Sequence, residues 1–280
     1  MLKKNDYTKK NLKNNYHIFS CPICKENMVL SDKSLICLNN HCFDISHKGC
    51  ISLNKNSKAR NEKIYDRVLF ENRTNFINGK FYNKLHQMIA DIINKKNNSS
   101  LIIDMGSGDG THDNKIYKLL KNKNTYLLGI DISKEGVEYS SNYVSDNFIP
   151  VIADLNNLPL QNNSIDVILN ILSPSNEKEM KRVLSKDGII IKVTPKKEYL
   201  KELRESLNIK EYENEDIINQ NISRNYIIKE KYEITEVFQL DDKEFLNLIK
   251  MTPLAKNHDK YIKFEQITIA LNIYVLTPKE

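Results

Sequence analysis

The stretch Leu101-Ile-Ile-Asp-Met-Gly-Ser-Gly-Asp-Gly110 decides the fold, because an apolar run ends there in a carboxylate and a glycine-rich turn. The apolar residues predict a buried strand, and the closely spaced glycines predict a tight turn at its carboxyl end. A helical pattern begins directly afterwards. Open α/β sheets bind the nucleotide part of a cofactor at such a strand-turn-helix unit.

The glycine spacing narrows the kind of cofactor. The dinucleotide fingerprint G-x-G-x-x-G would place glycine at position 111, which is Thr111 here. The order is instead G-x-G-x-G, with Asp104 two residues before Gly106. This variant is typical of class I methyltransferases, whose donor S-adenosylmethionine carries a sulfonium and an amino-acid tail instead of a pyrophosphate. We therefore expect Asp104, Gly106 and Gly108 to contact S-adenosylmethionine, and the spacing disfavours a nicotinamide dehydrogenase.

Two further acidic residues follow the next predicted strands. Asp131 ends the second strand, where it can accept hydrogen bonds from both ribose hydroxyls. Asp154 follows the third strand, where we expect it beside the adenine amino group with Leu155 at the ring. Either aspartate could instead be an ordinary strand-end or capping residue. Their order after successive strands favours the cofactor interpretation.

The remainder of the chain alternates between predicted strands and helices. This alternation predicts an α/β fold of the class I Rossmann-like kind, with a mostly parallel seven-stranded sheet and helices on both faces. Ser133 is the expected N-cap of the second helix. Residues 196–230 are expected to be a polar insertion, followed by an antiparallel edge pair that finishes the sheet. The predicted strands are 101–104, 126–131, 148–152, 165–170, 188–194, 237–240 and 268–276, and the predicted helices include 114–120, 134–145, 176–184 and 241–249.

All five cysteines lie in the first fifth of the chain, which favours metal binding over disulfides. Cys21 and Cys24 form a C-x2-C knuckle, and a second pair, Cys37 and His41, can complete a tetrahedron around a structural Zn(II). Cys42 is the rival for the fourth position, and His47 and Cys50 are more distant alternatives. Buried thiols without metal are the other interpretation.

Composition sets the remaining limits. The 280 residues carry a formal net charge of +6, which favours phosphate-bearing partners without establishing one. No apolar run is long enough for a transmembrane helix, and residues 1–7 lack a signal-peptide pattern. We expect a cytoplasmic protein. Its expected parts are a flexible extension (1–17), a zinc-binding RNA-recognition module (18–54), a linker with amphipathic helices (55–97) and a methyltransferase domain (98–280).

Several short motifs resemble one family. They are Phe19-Ser-Cys-Pro-Ile-Cys24, Ile36-Cys-x-x-x-His41, Leu158-Pro159-Leu160, Ser173-Pro174, Thr194-Pro195 and Leu248-x-x-Met251-Thr-Pro253. Together with the glycine loop, they resemble the 23S ribosomal RNA guanine-N1 methyltransferases of the RlmA type, from about residue 18 to the carboxyl terminus. The resemblance implies transfer of a methyl group from S-adenosylmethionine to guanine N1 in a hairpin of 23S rRNA, by a homodimeric enzyme with a zinc module.

The resemblance also adds residues to the expected cofactor site. By matching position, these are Tyr82, His112, Asp113 and Tyr199, and Tyr199 replaces a histidine that is usual there. The resemblance implies the zinc ligands Cys21, Cys24, Cys37 and His41. No residue stands out as the base that removes the N1 proton. The alternatives are a small-molecule methyltransferase and a non-catalytic zinc RNA-binding protein.

Overall fold

The main sheet has eight strands, in the order β10-β11-β9-β8-β5-β6-β7-β4. It is seen in a computed structural model that describes residues 2–54, 66–96, 101–209, 215–255 and 262–279. Its strands are β4 (Ile51–Ser52), β5 (Leu101–Met105), β6 (Tyr126–Asp131), β7 (Phe148–Ile152), β8 (Ile165–Ile171), β9 (Leu184–Pro195), β10 (Tyr226–Gln239) and β11 (Gln266–Pro278). Strands β4 to β9 run parallel, and β10 and β11 are antiparallel.

Helices cover both faces of this sheet. They are α1 (Lys4–Asn15), α2 (Arg67–Asn78), α3 (Asn83–Lys95), α4 (Thr111–Leu119), α5 (Lys134–Ser140), α6 (Glu177–Val183), α7 (Lys201–Ser206), α8 (Glu215–Asn225) and α9 (Asp242–Met251). Successive residues Ile102 and Ile103 of β5 are fully buried in two different apolar clusters, one on each face. This burial explains why the central strands read as continuous apolar runs. The predicted α/β fold is confirmed, with one more strand than expected.

A small N-terminal sheet forms the second part of the fold. Its strands β1 (Met28–Ser31), β2 (Ser34–Cys37) and β3 (Cys42–Asp44) are antiparallel. Ile51 of β4 then pairs in parallel with Val151 of β7, and the Leu53 N–H donates to the Ile152 carbonyl at 2.8 Å. The segment that follows the cysteines therefore adds an edge strand to the main sheet.

The first residues differ from the expected loose extension. Residues 4–15 form α1, and Leu12 is fully buried in the same apolar cluster as Ile149 and Val151 of β7. The Thr8 hydroxyl donates to the Gly49 carbonyl at 2.7 Å. This helix has few apolar residues, so its amphipathic pattern is weak, but a single buried leucine and the hydrogen bond attach it to the body. Residues 55–65, the first part of the expected linker region 55–97, lie outside the described residues.

The polar stretch after β9 also contains more structure than expected. Helices α7 and α8 lie there, and β10 begins at Tyr226 instead of near Val237. Each of the two helices buries few apolar side chains, among them Leu203 in α7 and Ile222 in α8. Such sparse burial gives no clear periodicity. The antiparallel edge pair β10 and β11 and the Ser133 N-cap, which accepts from the Gly136 N–H, are confirmed.

Candidate active site and metal centre

Two turns of the N-terminal module bring four potential metal ligands together. The sulfur atoms of Cys21, Cys24 and Cys37 and a ring nitrogen of His41 all lie within 4.8 Å of one another. Lys25 and Asn40, one at each turn, adopt left-handed backbone conformations (φ 67° and 60°). These two turns fold the chain back so that the ligands face a common point.

The distances within this cluster suit a tetrahedral zinc ion. Cys24 Sγ and Cys37 Sγ are 3.6 Å apart, and His41 Nδ1 lies 3.5 Å from Cys21 Sγ and 3.4 Å from Cys37 Sγ. A tetrahedral ion with Zn–S bonds of about 2.3 Å separates its sulfur ligands by about 3.8 Å. Three thiolates and an imidazole therefore fit a closed structural zinc site, with no position left for a substrate.

The alternative ligands lie elsewhere. The Cys42 side chain is exposed and its Sγ contacts Asp44 Oδ1 at 3.7 Å. Cys50 is buried, with its Sγ 3.0 Å from Ser46 Oγ. Of the residues weighed for the fourth position, His41 is the one in the cluster.

The glycine loop joins β5 to α4 at the carboxyl end of the parallel strands. Gly106, Gly108 and Gly110 all have positive φ angles, of 90°, 58° and 71°. A Cβ on Gly106 would lie 2.5 Å from Cβ of Ser173, which follows β8. Glycine is thus required at position 106 both by the backbone conformation and by the close approach of the Ser173 segment.

The carboxylates expected at consecutive strand ends lie beside this loop. Asp131 accepts hydrogen bonds from the Gly108 N–H at 2.9 Å and the Ser133 N–H at 2.8 Å. Burial raises the pKa of Asp131. Asp154 is partly exposed, and its Oδ1 accepts from the Asn156 N–H at 2.8 Å. A Leu155 methyl group would lie 3.9 Å from a Cβ on Gly106. The glycine loop, Asp131 and Asp154 follow β5, β6 and β7, which are neighbours in the sheet. The three predicted positions therefore lie side by side at the carboxyl ends of these strands.

Two other predicted residues are buried beneath the loop. Asp104 and Asp113 are almost completely buried and interact with each other. Burial raises the pKa of Asp104 to about 7, and burial together with the nearby Asp104 charge raises the pKa of Asp113 well above its ordinary value. Protonation of one of the two carboxyl groups would limit the repulsion between them. The Asp113 carboxyl lies close to Gly129 of β6, inside the protein.

A cavity of about 540 Å³ opens at the same strand ends. Three of the predicted cofactor residues, Tyr82, His112 and Tyr199, line it. The other predicted cofactor residues, Asp104, Gly106, Gly108, Asp113, Asp131, Asp154 and Leu155, are not part of its lining. The cavity therefore extends from one side of the glycine loop toward α6, α7 and α8.

Hydrogen-bonded pairs fix the aromatic part of the wall. The hydroxyl groups of Tyr82 and Tyr199 share a hydrogen bond of 2.7 Å, so tyrosine at position 199 presents a polar tip there. His112 Nδ1 lies 2.8 Å from Nε2 of His86. Burial lowers the pKa of His86 to about 4 and that of His112 well below its ordinary value, so both rings are neutral at neutral pH. A neutral pair shares one N–H between the two nitrogens.

Several polar residues of the site were not predicted from the sequence. They are Arg73 of α2 and Lys192 of β9, and both line the cavity. Arg73 Nε is 3.9 Å from Oδ1 of the buried Asp109. A lysine between the apolar residues Ile191 and Val193 is the one signal in the sequence for Lys192, because a charged side chain in a buried central strand needs a reason.

These residues fit S-adenosylmethionine. The loop glycines allow close approach of a ligand, Asp131 offers carboxylate oxygens where a ribose is expected, and the adjoining cavity has aromatic and cationic walls.

Among the described residues, no helix has both the length and the apolar composition to cross a bilayer.

Comparison with known proteins agrees with this geometry. Residues 96–248 match the model of a methyltransferase domain, and residues 19–58 match the model described as the RlmA N-terminal zinc ribbon. A Bacillus subtilis (strain 168) protein named "Putative 23S rRNA (guanine-N(1)-)-methyltransferase YxjB" is 33% identical over 279 residues, covering 93% of this chain and 97% of its own length.

Two other proteins share a lower sequence identity with this chain. The 23S rRNA (guanine(748)-N(1))-methyltransferase of Streptomyces fradiae is 26% identical over 201 residues, which is 70% of each chain. A solved structure of a SAM-dependent methyltransferase from Aquifex aeolicus has a TM-score of 0.46 and 14% identity, over 76% of this chain and 98% of that one.

Proposed function

Because the chain belongs to the RlmA-type family of 23S rRNA (guanine-N1)-methyltransferases, we propose that it transfers a methyl group from S-adenosylmethionine to N1 of a guanine in a 23S rRNA hairpin. The observation that carries this proposal is the cavity beside the Gly106 loop, into which Tyr82, His112 and Tyr199 project at the carboxyl ends of the parallel strands. The volume of about 540 Å³ is in the range of small-molecule sites.

The cofactor would be held by residues on both sides of the glycine loop. Asp131 would bind the ribose hydroxyls and Asp154 the adenine amino group, with Leu155 against the ring. The backbone at Gly106 and Gly108 would lie along the donor. When bound, S-adenosylmethionine supplies a methyl group on a positively charged sulfur atom.

The remaining predicted contacts would act at the amino-acid end of the donor. Tyr82, His112 and Tyr199 line the cavity there. The hydrogen bond between Tyr82 and Tyr199 and the one between His112 and His86 would hold these side chains in place without rearrangement. Asp104 and Asp113 support the loop from below, so contact between Asp113 and the donor would use the first turn of α4 instead of its carboxyl group. Fixed walls of this kind keep the reacting atoms at near-attack distance and exclude water.

The zinc module would bind the RNA. Its two turns are held by Cys21, Cys24, Cys37 and His41 as zinc ligands. Ile23, Val29 and Leu38 are 43%, 52% and 77% exposed around this cluster, which leaves apolar surface for unstacked bases. RNA is read mostly in loops whose bases can be splayed out, and the target guanine would be flipped into the cavity. We further propose that the enzyme is a cytoplasmic homodimer, which sedimentation analysis would test.

Methyl transfer to RNA is the direct test. The protein is incubated with S-adenosylmethionine carrying a tritiated methyl group and with unmodified 23S rRNA or its hairpin fragments. Incorporation should map to one guanine, and primer extension should stop beside it, because a methyl group on N1 blocks base pairing. An Asp131→Ala variant serves as the control for donor binding. Incorporation equal to that without enzyme, across all fragments, would contradict the proposal.

A further inference from the structure

A network around Asn170 joins the glycine loop to the segment after β8. The Asn170 side-chain amide donates to the carbonyl oxygens of Met105 at 3.1 Å and Pro174 at 2.9 Å, and it lies 2.6 Å from Ser173 Oγ. The Ser173 hydroxyl donates to the same Met105 carbonyl at 2.5 Å. Because Met105 immediately precedes Gly106, this network fixes the segment Ser173-Pro174 against the glycine loop.

The orientation of the Asn170 amide determines what Lys192 can do. With its N–H groups donated to two carbonyls, Asn170 must present Oδ1 to the other side, where it accepts from Lys192 Nζ at 2.6 Å. Asn170 and Lys192 are register partners on the parallel strands β8 and β9, so their side chains lie on one face. This hydrogen bond holds Lys192 between the glycine loop and the cavity, and Lys192 lines that cavity.

The Lys192 ammonium forms no ion pair with the described residues. In the part of the chain that the structure describes, no carboxylate lies within ion-pair distance of its Nζ, although Glu177 acts on it from farther away. A partly buried lysine whose hydrogen-bond partner is a neutral amide contributes little to stability as a cation. Its position suits a group that exchanges a proton with a ligand in the cavity.

We propose that Lys192, in its uncharged form, is the catalytic base that removes the N1 proton of the target guanine. This inference rests on the proposed function. A bond forms between N1 and the methyl carbon while the bond from that carbon to sulfur breaks, and its electron pair stays on sulfur. The N1 proton passes to the lone pair of Nζ. A sulfonium, a neutral guanine and an amine become a thioether, a neutral methylguanine and an ammonium, so total charge is conserved.

The surroundings of Lys192 favour this role. Burial lowers its pKa to about 8, against which the Glu177 charge acts weakly. Among the described residues that line the cavity, the other charged side chains are Arg73, Glu177 and Arg204. His112 is kept neutral by burial, and the pKa values of Tyr82, Tyr199 and Tyr226 are raised by burial. Of these lining groups, Lys192 is the one whose shifted pKa falls near the working pH, where a general base is most effective.

Two substitutions separate a base from a cation that only positions Asn170. Lys192→Met removes both roles, and kcat for methyl transfer should fall by about 100-fold or more. Lys192→Arg keeps a cation and hydrogen-bond donors but cannot release a proton near neutral pH, so it should remain comparably impaired. In both variants the KM for RNA and the Kd for S-adenosylhomocysteine, measured by calorimetry, should stay within about threefold of wild type.

Lys231→Met is the matched control, because Lys231 forms a surface ion pair of 2.8 Å with Glu233 on β10 and does not line the cavity. This variant should keep wild-type kcat. Recovery of more than about a third of wild-type kcat by Lys192→Arg would overturn the proposal, since a positioning role would then suffice.

A titration without substrate provides an independent readout. NMR of the lysine ε groups in the free protein should show one signal titrating near pH 8 that is absent from Lys192→Met. In wild type, kcat should rise through the same pH, and this rise should be missing in both variants. A Lys192 signal titrating near its ordinary value of 10.5 would refute the inference. Wild-type protein that methylates no RNA, with the NMR shift intact, would instead refute the proposed function.

Discussion

Replacing Gly106 by alanine tests how closely the glycine loop packs against the segment Ser173-Pro174. An alanine there must adopt a φ near 90°, which costs about 1–3 kcal/mol. Its Cβ would lie 2.5 Å from Ser173 Cβ and 2.7 Å from Ser173 Oγ, far inside contact distance. Overpacking of this kind adds about 1–3 kcal/mol. We therefore expect Gly106→Ala to lower the free energy of unfolding by about 2–6 kcal/mol.

Two companion variants divide this loss into its parts. Gly108→Ala also imposes a positive φ, of 58°, but its Cβ would meet Arg73 Nη1 at an ordinary 3.6 Å, so about 1–2 kcal/mol of backbone strain is expected. Ser173→Gly removes the colliding atoms and the hydrogen bond to Met105, at about 1–2 kcal/mol. In the double variant Gly106→Ala with Ser173→Gly, the clash disappears. The loss of unfolding free energy in the double variant should therefore be about 1–3 kcal/mol smaller than the sum of the losses in the two single variants.

Urea unfolding followed by circular dichroism, with zinc kept saturating, measures these free energies. The four proteins form a double-mutant cycle, and Gly108→Ala is compared separately. Additive losses for Gly106→Ala and Ser173→Gly, within about 0.5 kcal/mol, would refute the close packing described between the two loops.

Three further outcomes are expected. Asp131→Ala should weaken S-adenosylhomocysteine binding by about 10- to 100-fold in calorimetry, because charge-assisted hydrogen bonds contribute about 1.5–3 kcal/mol; unchanged affinity would remove Asp131 from the site. His41→Ala should lose the bound zinc measured by atomic absorption and lower the melting temperature, whereas Cys42→Ser should retain one equivalent; equal zinc in both would be inconsistent with the assigned ligands. Because the folded pKa of Asp104 is raised from 3.8 to about 7, the folded state holds extra protons, so stability should fall as pH rises between those values. Asp113→Asn should flatten this dependence in urea titrations across that range, and an unaltered slope would exclude the carboxyl pair as its source.

The central strands and the metal cluster could be predicted because their signals are local. The strands at 126–131 and 148–152 have the predicted bounds, since both faces are covered and each reads as an apolar run. The knuckle at Cys21 and Cys24 is likewise defined by a few adjacent residues. Where the signal lies within one element, the sequence contains enough information.

The features that were missed depend on distant contacts. Strand β4 has two residues, too few for a period, and exists because β7, a hundred positions later in the chain, accepts it. Helix α1 is attached through buried Leu12 and through polar contacts such as the hydrogen bond from Thr8 to Gly49. Lys192 alternates with apolar neighbours as a solvent-facing residue would, and only the arrangement of β9 beside the cavity makes its surroundings enclosed. The inward direction of the Asp113 carboxyl is also set by packing against β6.

The pairing of Ile51–Ser52 with Val151–Ile152 has a consequence for biosynthesis. The metal-binding segment and β4 leave the ribosome well before β7 has been translated. A nascent chain can therefore bind zinc early, but β4 cannot pair with β7 until later. Once seated, that segment covers the outer edge of β7, whose backbone groups would otherwise be available to pair with another chain. Metal starvation would then be expected to leave that edge bare and to promote aggregation of newly made protein.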